Sequence, residues 1–314
     1  MERDPEKAQE RVTELEERVR EHPHDQSARE DLGWALTDLA RALRDLGDRE
    51  GAHARFLRAR TVREELALET NSREARRDLA GSHTDFAWHI ESLDRLGEAA
   101  SEHRKALALL EGLYAEDAND TLTTRDLAAT LRHLASNARD AERNAEAQDL
   151  YRRASACLER LMEATLETED RIDLAYDLAW TKRREASLLE KLGRSAEAEA
   201  RLREAVALLY GLLGEHPAHE DRVRWLGKLG DVLQCLGSLL EKADRFAEAE
   251  PVLGQAAGVL EMTLQDESEP RKFELGDLVD TLRSLELVLH NLGRGADARS
   301  MRQRAKVLEK RLRS

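Results

Sequence analysis

Residues 31–66 read DLGWALTDLARALRDLGDREGAHARFLRARTVREEL, a stretch with two helical patterns and a turn between them. The first pattern places leucine at intervals of three or four residues, which forms one apolar face of an α-helix. Gly47 then interrupts the pattern, and glycine readily adopts the left-handed conformation that ends a helix. In the second pattern the small Ala52 and Ala59 flank Phe56, so that two helices can approach closely. The stretch therefore predicts an antiparallel helix pair.

The same pattern recurs five more times along the chain. The pair Asp31-Leu32, or its leucine alone, returns at intervals of 47 to 51 residues. The recurrences are Asp78-Leu79, Asp126-Leu127, Asp177-Leu178, Leu229 and Asp277-Leu278. Self-similarity at a nearly fixed period is the signature of repeat proteins, in which each unit buries its apolar face against its neighbours. The sequence thus predicts an all-α solenoid of stacked antiparallel helix pairs.

We predict a single solenoid over residues 1–314, composed of one unpaired helix and six repeats. Acidic, turn-forming stretches such as residues 116–120 separate the units and offer helix caps. The first residues match only the second half of a unit, because Glu21-His22-Pro23 parallels Glu215-His216-Pro217. The predicted boundaries are 1–24 for the lone capping helix, then 27–70, 73–118, 121–168, 171–215, 220–266 and 270–314 for the repeats.

Composition narrows the classes of partner. The net charge of −14 argues against a general nucleic-acid-binding protein, since phosphate contacts require a basic surface. Apolar runs such as Val206–Leu213 are too short to span a bilayer. The two cysteines do not make a disulfide framework, and the first 20 residues are charged throughout, unlike a signal peptide. We therefore expect a cytoplasmic protein that binds neither nucleic acid nor membrane.

The motifs of common catalytic and cofactor sites are not found in the sequence. The histidine pairs His22/His24 and His216/His219 lack the cysteine partners and spacing of a structural metal site. The glycines at 292–295 follow no strand and precede no Lys-Ser/Thr, so they do not form a phosphate loop. Cys157 falls on a core position, and Cys235 lies off the main core stripe and is expected to be partly exposed. We predict no enzyme activity, no metal and no cofactor.

The order of a Leu-Gly turn, an alanine, a large residue four later and an alanine three after that resembles the tetratricopeptide repeat (TPR). The matching residues of the first unit are Leu39, Ala40, Leu43, Ala52, Phe56 and Ala59. The period exceeds the standard 34 residues, and resembles that of long-period bacterial members of the family. Pro251, inside the fifth second-helix, is expected to kink that helix or delay its start. The resemblance implies a right-handed superhelical α-solenoid whose first helices line a concave groove for a peptide or partner helix.

Groove residues would lie opposite the core stripe of each first helix, at about 100° per residue. Tryptophan and arginine occupy many of these positions, and both are enriched at binding hot spots. The candidates for the groove are Trp34, Arg41, Arg44, Trp88, Arg132, Arg139, Trp180 and Arg183. Arginine can clamp a carboxylate, so the expected ligand is an acidic or amphipathic protein segment. The alternative is that these tryptophans pack on neighbouring helices and the arginines pair with internal Asp and Glu. Trp225 is predicted to lie in the core.

Two functional hypotheses follow. The first is a protein–protein interaction scaffold. The second is a sensor or regulatory module of a larger bacterial signalling or defence protein, since long repeats of this type accompany protease, kinase or nucleotide-switch domains. A peptide-pheromone receptor is a narrower form of the second hypothesis. The sequence leaves the oligomeric state open, because the ends of a solenoid can stack.

Overall fold

The computed structural model describes residues 4–164, 168–266 and 272–313. Within these residues the chain forms thirteen α-helices and no strand. The helices are α1 (Pro5–Glu21), α2 (Gln26–Asp45), α3 (Arg49–Thr70), α4 (Arg73–Glu91), α5 (Leu96–Glu116), α6 (Thr121–Asp140), α7 (Asn144–Ala164), α8 (Thr168–Lys191), α9 (Ser195–Glu215), α10 (Arg222–Lys242), α11 (Phe246–Asp266), α12 (Lys272–Asn291) and α13 (Gly295–Arg313).

The helices pack in consecutive pairs, as the periodicity predicted. The unpaired first helix is α1, and the pairs run from α2–α3 to α12–α13. The predicted all-α solenoid of helix pairs is confirmed. The predicted boundaries at 270 and 314 lie outside the described residues. Helix α8 begins at Thr168, three residues before the predicted start of the fourth repeat at 171.

Two compact units make up the chain, residues 1–157 and 158–314. In the first unit α1 covers the apolar face of the α2–α3 pair, where Val12 packs among Leu32, Leu36 and Val62. In the second unit a continuous core runs through α8 to α13, and Trp225, which is only 1% exposed, lies within it. The prediction that Trp225 is a core residue is therefore confirmed.

Each turn between the two helices of a pair has the same backbone geometry. One residue adopts a left-handed conformation, and the amide of the residue after it bonds a carbonyl five residues earlier, as in Asp48 N to Leu43 O. Glycine fills the left-handed position at Gly47, Gly193 and Gly293. In the other three turns a charged residue fills it, with positive φ at Asp94, Glu142 and Asp244. The six turns are alike in structure, but only three of them carry the Leu-Gly pattern in the sequence.

The α10–α11 pair is held together at two glycines. A Cβ atom on Gly230 would lie 2.6 Å from Leu260, and one on Gly237 would lie 2.4 Å from Leu253. The leucines are fully buried, so glycine is needed for this close approach. Pro251 lies inside α11, which begins at Phe246. The expectation of a delayed start was wrong, because proline removes only one intrahelical bond and α11 also packs against α10 and α12.

Among the described residues, no helix is long and apolar enough to cross a membrane.

Candidate functional site

We call the surface formed by the first helix of each pair the first-helix face. It is formed by α2, α4 and α6 in the first unit and by α8, α10 and α12 in the second unit. Consecutive first helices within a unit contact each other directly. The candidate groove residues all lie on these helices, as the sequence predicted.

Trp34 and Trp88 place large aromatic rings at the surface of the first unit. Their exposed fractions are 47% and 38%. Trp88 corresponds to Arg41 of the first repeat and so lies about two helical turns beyond the position of Trp34. Residues two turns apart share a helix face, so both rings belong to the first-helix face.

A buried arginine supports the ring of Trp34. The guanidinium of Arg63, on α3, lies 4.4 Å from the ring centroid and is buried. Its Nη1 donates to Ser82 Oγ at 2.6 Å, which ties α3 to α4. A Cβ on Gly33 would come within 3.0 Å of Arg63 Nε, so the glycine leaves room for the arginine to pass beneath Trp34. Trp34 is therefore held in place from below while its outer face stays open to solvent.

Trp180 differs from the other two candidate tryptophans because it is half-buried. It lies in the second unit at the position equivalent to Trp34. Arg184, one turn along the same helix, lies 4.9 Å from its ring centroid. Less of this ring is left for a partner.

Two of the predicted groove arginines pair with aspartates on the next first helix. Arg41 Nη2 lies 2.7 Å from Asp85 Oδ1, and Arg183 Nη2 lies 2.7 Å from Asp231 Oδ1. Burial alone would raise the pKa of Asp231, but Lys228 and Arg183 beside it hold the value below its usual range. These two ion pairs each join one repeat to the next. They agree with the alternative hypothesis, that the arginines pair with Asp and Glu residues of the protein itself.

The remaining three arginines lie in the first unit. Arg44 and Arg139 each contact the aspartate that directly follows them in sequence, Asp45 at 3.1 Å and Asp140 at 2.8 Å. Such surface pairs bind weakly and exchange readily with other carboxylates. Arg132 is half-buried on α6.

One cluster in the first unit was not predicted from the sequence. Glu91, His103 and His133 come from α4, α5 and α6, and one potential ligand atom of each lies within 4.8 Å of the others. His103 Nε2 lies 3.2 Å from Glu91 Oε1. The three residues are far apart in sequence and form no motif, so only the packing of successive repeats could reveal them.

The two cysteines are thiols, and neither forms a disulfide. Cys157 is buried, as predicted, and Cys235 is half-buried, as expected from its position off the core stripe. Burial raises the pKa of the Cys235 thiol to about 11, and the nearby Asp231 carboxylate adds to the effect. A thiol that stays protonated at neutral pH is a poor nucleophile, so Cys235 gives no sign of catalytic chemistry.

A cavity of about 980 Å³ opens in the second unit between α7, α8 and α9. Lys182 lies in its wall, with Nζ 2.8 Å from both Glu159 and Glu204. Burial would lower the pKa of Lys182, but these two carboxylates raise it above its usual value. The charged groups Lys182, Glu159 and Glu204 of the wall are paired with one another, so they are less available to bind a ligand. The exposed rings of the first-helix face therefore offer more to a ligand.

Comparison with known proteins identifies the fold. No protein-family model matches the chain, and no curated protein matches it. Among solved structures, BtubC (BKLC) from P. vanneervenii superposes with a TM-score of 0.64 at 19% identity, covering 86% of this chain and 94% of that one. A signal transduction ATPase with numerous domains from Pyrococcus horikoshii, described as carrying a tetratricopeptide repeat sensor, gives 0.62 at 13% identity. That match covers 90% of this chain and 37% of the ATPase.

These similarities, with the thirteen described helices in consecutive pairs, define a helical-repeat solenoid. Within that class, the chain has the tetratricopeptide-repeat fold, as the Leu-Gly turns and the Ala-x₃-Phe-x₂-Ala pattern indicated.

Proposed function

We propose that the protein is an interaction module that binds a peptide or partner helix on its first-helix face. The observation that carries the proposal is the exposure of Trp34 and Trp88, on consecutive first helices of one unit. Tryptophan is among the side chains most enriched at the binding hot spots that carry most of an interface's free energy. Support from Arg63 lowers the entropy cost of ordering Trp34 on binding, since the ring is already positioned.

The partner that fits this surface is an amphipathic segment with apolar anchors. Arg41 and Arg183 are already bound to Asp85 and Asp231, so these arginines are not available as carboxylate clamps without breaking contacts between repeats. Arg44 and Arg139 are held only by surface pairs and can accept an acidic group of the partner. Of the two ligand types that the sequence suggested, the amphipathic one is better supported than the purely acidic one.

Peptides selected from a displayed library against the protein provide the test. Their affinities are measured for the wild type, the double variant Trp34→Ala/Trp88→Ala and the matched control Tyr210→Ala. Tyr210 is an exposed aromatic residue on α9, a second helix. We expect the double variant to lose at least about 2 kcal/mol of binding free energy, and the control to lose less than about 0.5 kcal/mol. Circular dichroism and thermal melting show whether each variant is folded.

Equal binding by the wild type and a folded double variant would place the partner elsewhere. Loss in the Tyr210→Ala control would point to the second helices instead.

A sensor or regulatory module is the second candidate function. It is supported by the similarity in fold to the Pyrococcus ATPase, of which the matched region makes up 37%. Denaturing electrophoresis of source-cell lysate, probed with an antibody against the repeats, distinguishes the two. A band well above 35.5 kDa would show a covalently joined effector, and a band at that mass would favour a separate scaffold.

A further inference from the structure

Three helices bring two imidazoles and one carboxylate together in the first unit. Glu91 is the last residue of α4, His103 lies in the first half of α5 and His133 lies in the second half of α6. One potential ligand atom from each residue lies within 4.8 Å of the other two. Within the cluster, His103 Nε2 lies 3.2 Å from Glu91 Oε1.

The spacing suits a tetrahedral metal site. With bonds of about 2.0–2.1 Å from zinc to nitrogen and oxygen, neighbouring ligand atoms stand about 3.3 Å apart. The His103–Glu91 pair already has this separation. The rings of His103 and His133 are nearly parallel, 9° apart, with centroids 5.5 Å from each other. The third ligand atom, on the half-buried His133, lies within 4.8 Å of the other two, so it has to move closer by at most about 1.5 Å to reach tetrahedral spacing.

The surroundings hold two of the three ligands in place. The His103 side chain has 0% exposure, so its ring is fixed by packing. Asn137 Nδ2, on α6, donates to Glu91 Oε1 at 2.9 Å and orients that carboxylate. Supporting hydrogen bonds of this kind tune the affinity of metal sites in proteins. The Glu91 side chain is 25% exposed, so an ion can reach the cluster from solvent. The ring of Trp88 lies beside that of His133, with 5.2 Å between the centroids.

The ligand types select the class of ion. Imidazole nitrogen favours zinc and its first-row neighbours over calcium and magnesium, which prefer all-oxygen sites. Two histidines and one glutamate are three protein ligands, and zinc bound in this way keeps a fourth position for water or another group. No cysteine lies in the cluster, so a closed structural site with thiolates is not what the residues offer.

We propose that Glu91, His103 and His133 bind a single Zn²⁺ ion, with a fourth coordination position left for water. The ion links α4, α5 and α6, and thereby joins the second repeat to the third. The site depends only on these residues and stands whether or not the first-helix face binds a peptide.

Calorimetric titration of tag-free, chelator-treated protein with Zn²⁺ tests the site. We expect one equivalent to bind, and the melting temperature to rise with Zn²⁺ concentration. The variants His133→Asn and Glu91→Gln should lose this binding, and Asn137→Ala should weaken it about tenfold. The control His290→Asn removes an exposed histidine of α12 and should bind Zn²⁺ as the wild type does.

A second readout locates the ion. Co²⁺ bound at the cluster should give the intense visible bands of tetrahedral cobalt. It should also quench Trp88, and this quenching should disappear in Trp88→Phe. The proposal is overturned if folded His133→Asn and Glu91→Gln proteins bind Zn²⁺ like the wild type, or if chelator-treated wild type takes up no stoichiometric ion. Weak binding of several ions, unchanged in all variants, would equally overturn it as adventitious surface binding.

Discussion

Asp277, on α12, is an ionisable residue whose surroundings oppose its charge. Burial raises the pKa of its carboxyl group to about 6, and the neighbouring carboxylates of Asp231 and Asp280 add to this effect. Lys228 and Arg183 lower the pKa of Asp277, but both also form ion pairs with Asp231. The position is therefore one where the fold tolerates an unfavourable charge at neutral pH.

This environment makes part of the stability depend on pH. The pKa of Asp277 is higher in the folded state than its ordinary value of 3.8, so between about pH 4 and 6 the folded state holds a proton that the unfolded chain has released. The contribution of this group to stability is thus greatest at low pH and is lost as pH rises through 6. Above that pH the full penalty for charging it remains.

We expect Asp277→Asn to stabilise the protein at pH 7 by on the order of 1 kcal/mol, a value reduced for the residue's partial exposure. The gain should be much smaller at pH 4, where the folded-state carboxyl group is neutral and the unfolded one, with its ordinary pKa of 3.8, is only partly ionised. Urea denaturation of the variant and wild type at the two pH values measures it. Glu220→Gln, at an exposed loop position, is the control and should change stability at neither pH. A gain that is equal at both pH values would contradict the charge explanation.

The sequence predicted which side chains are exposed or buried on a single helix, but it did not predict clusters formed between helices. The exposed Trp34 and Trp88 and the buried Trp225 followed from helical periodicity alone, because each helix has one core-facing stripe. The Asp277 cluster and the Glu91–His103–His133 cluster did not, because their members come from two or three different repeats. Contacts between repeats depend on how helix pairs stack, which periodicity within one helix does not determine.

At the scale of helices, the α10–α11 pair contains glycines that close packing requires and glycines that it does not require. Gly237 faces the fully buried Leu253, with no room for a methyl group. Gly254 and Gly258, on α11, have no atoms within 4 Å of where a Cβ would stand. The same substitution should therefore have opposite effects at these sites.

We expect Gly237→Ala to destabilise the protein by about 1–3 kcal/mol, because overpacking outweighs the higher helix propensity of alanine. Gly258→Ala, the matched control in the same helix pair, should stabilise it by roughly 0.5–1 kcal/mol. Chemical denaturation of the two variants gives both values. If the two substitutions change stability in the same direction, close packing is not the reason for Gly237.

The positions of the helices along the chain were more predictable from the sequence than the contacts between them. Helix α2 begins at Gln26 and α3 ends at Thr70, against a predicted first repeat of 27–70. The turns at Asp94, Glu142 and Asp244 carried no glycine signal and were located only by the period. The effect of Pro251 was misjudged in part, since α11 begins before it. A propensity rule describes an isolated helix, whereas packing against α10 and α12 maintains this one.

For the whole chain, repeat architecture predicts that disturbances stay local. Each helix pair of a solenoid is stabilised by its own contacts and those of its immediate neighbours. The two compact units, residues 1–157 and 158–314, agree with such a division.

We therefore expect Gly237→Ala to increase amide hydrogen exchange in α10 and α11, and to a lesser extent in α9 and α12. Exchange in α2 and α3 should remain as in the wild type. Hydrogen–deuterium exchange with mass spectrometry of intact variant and wild type measures this, with Gly258→Ala as the control. A uniform loss of protection from α2 to α13 would show instead that the chain unfolds as one cooperative body.

Three turns have a left-handed residue that is not glycine, and this bears on which mutations of the gene would stabilise the protein. Left-handed geometry is unfavourable for residues with a Cβ atom, so glycine at positions 94, 142 and 244 would relieve strain that Asp94, Glu142 and Asp244 now bear. Every aspartate and glutamate codon becomes a glycine codon by one change at its second base. At three separate places, then, one base change leads to a turn without this strain. Such stabilising changes stay unused because selection removes only proteins that fall below the stability they need.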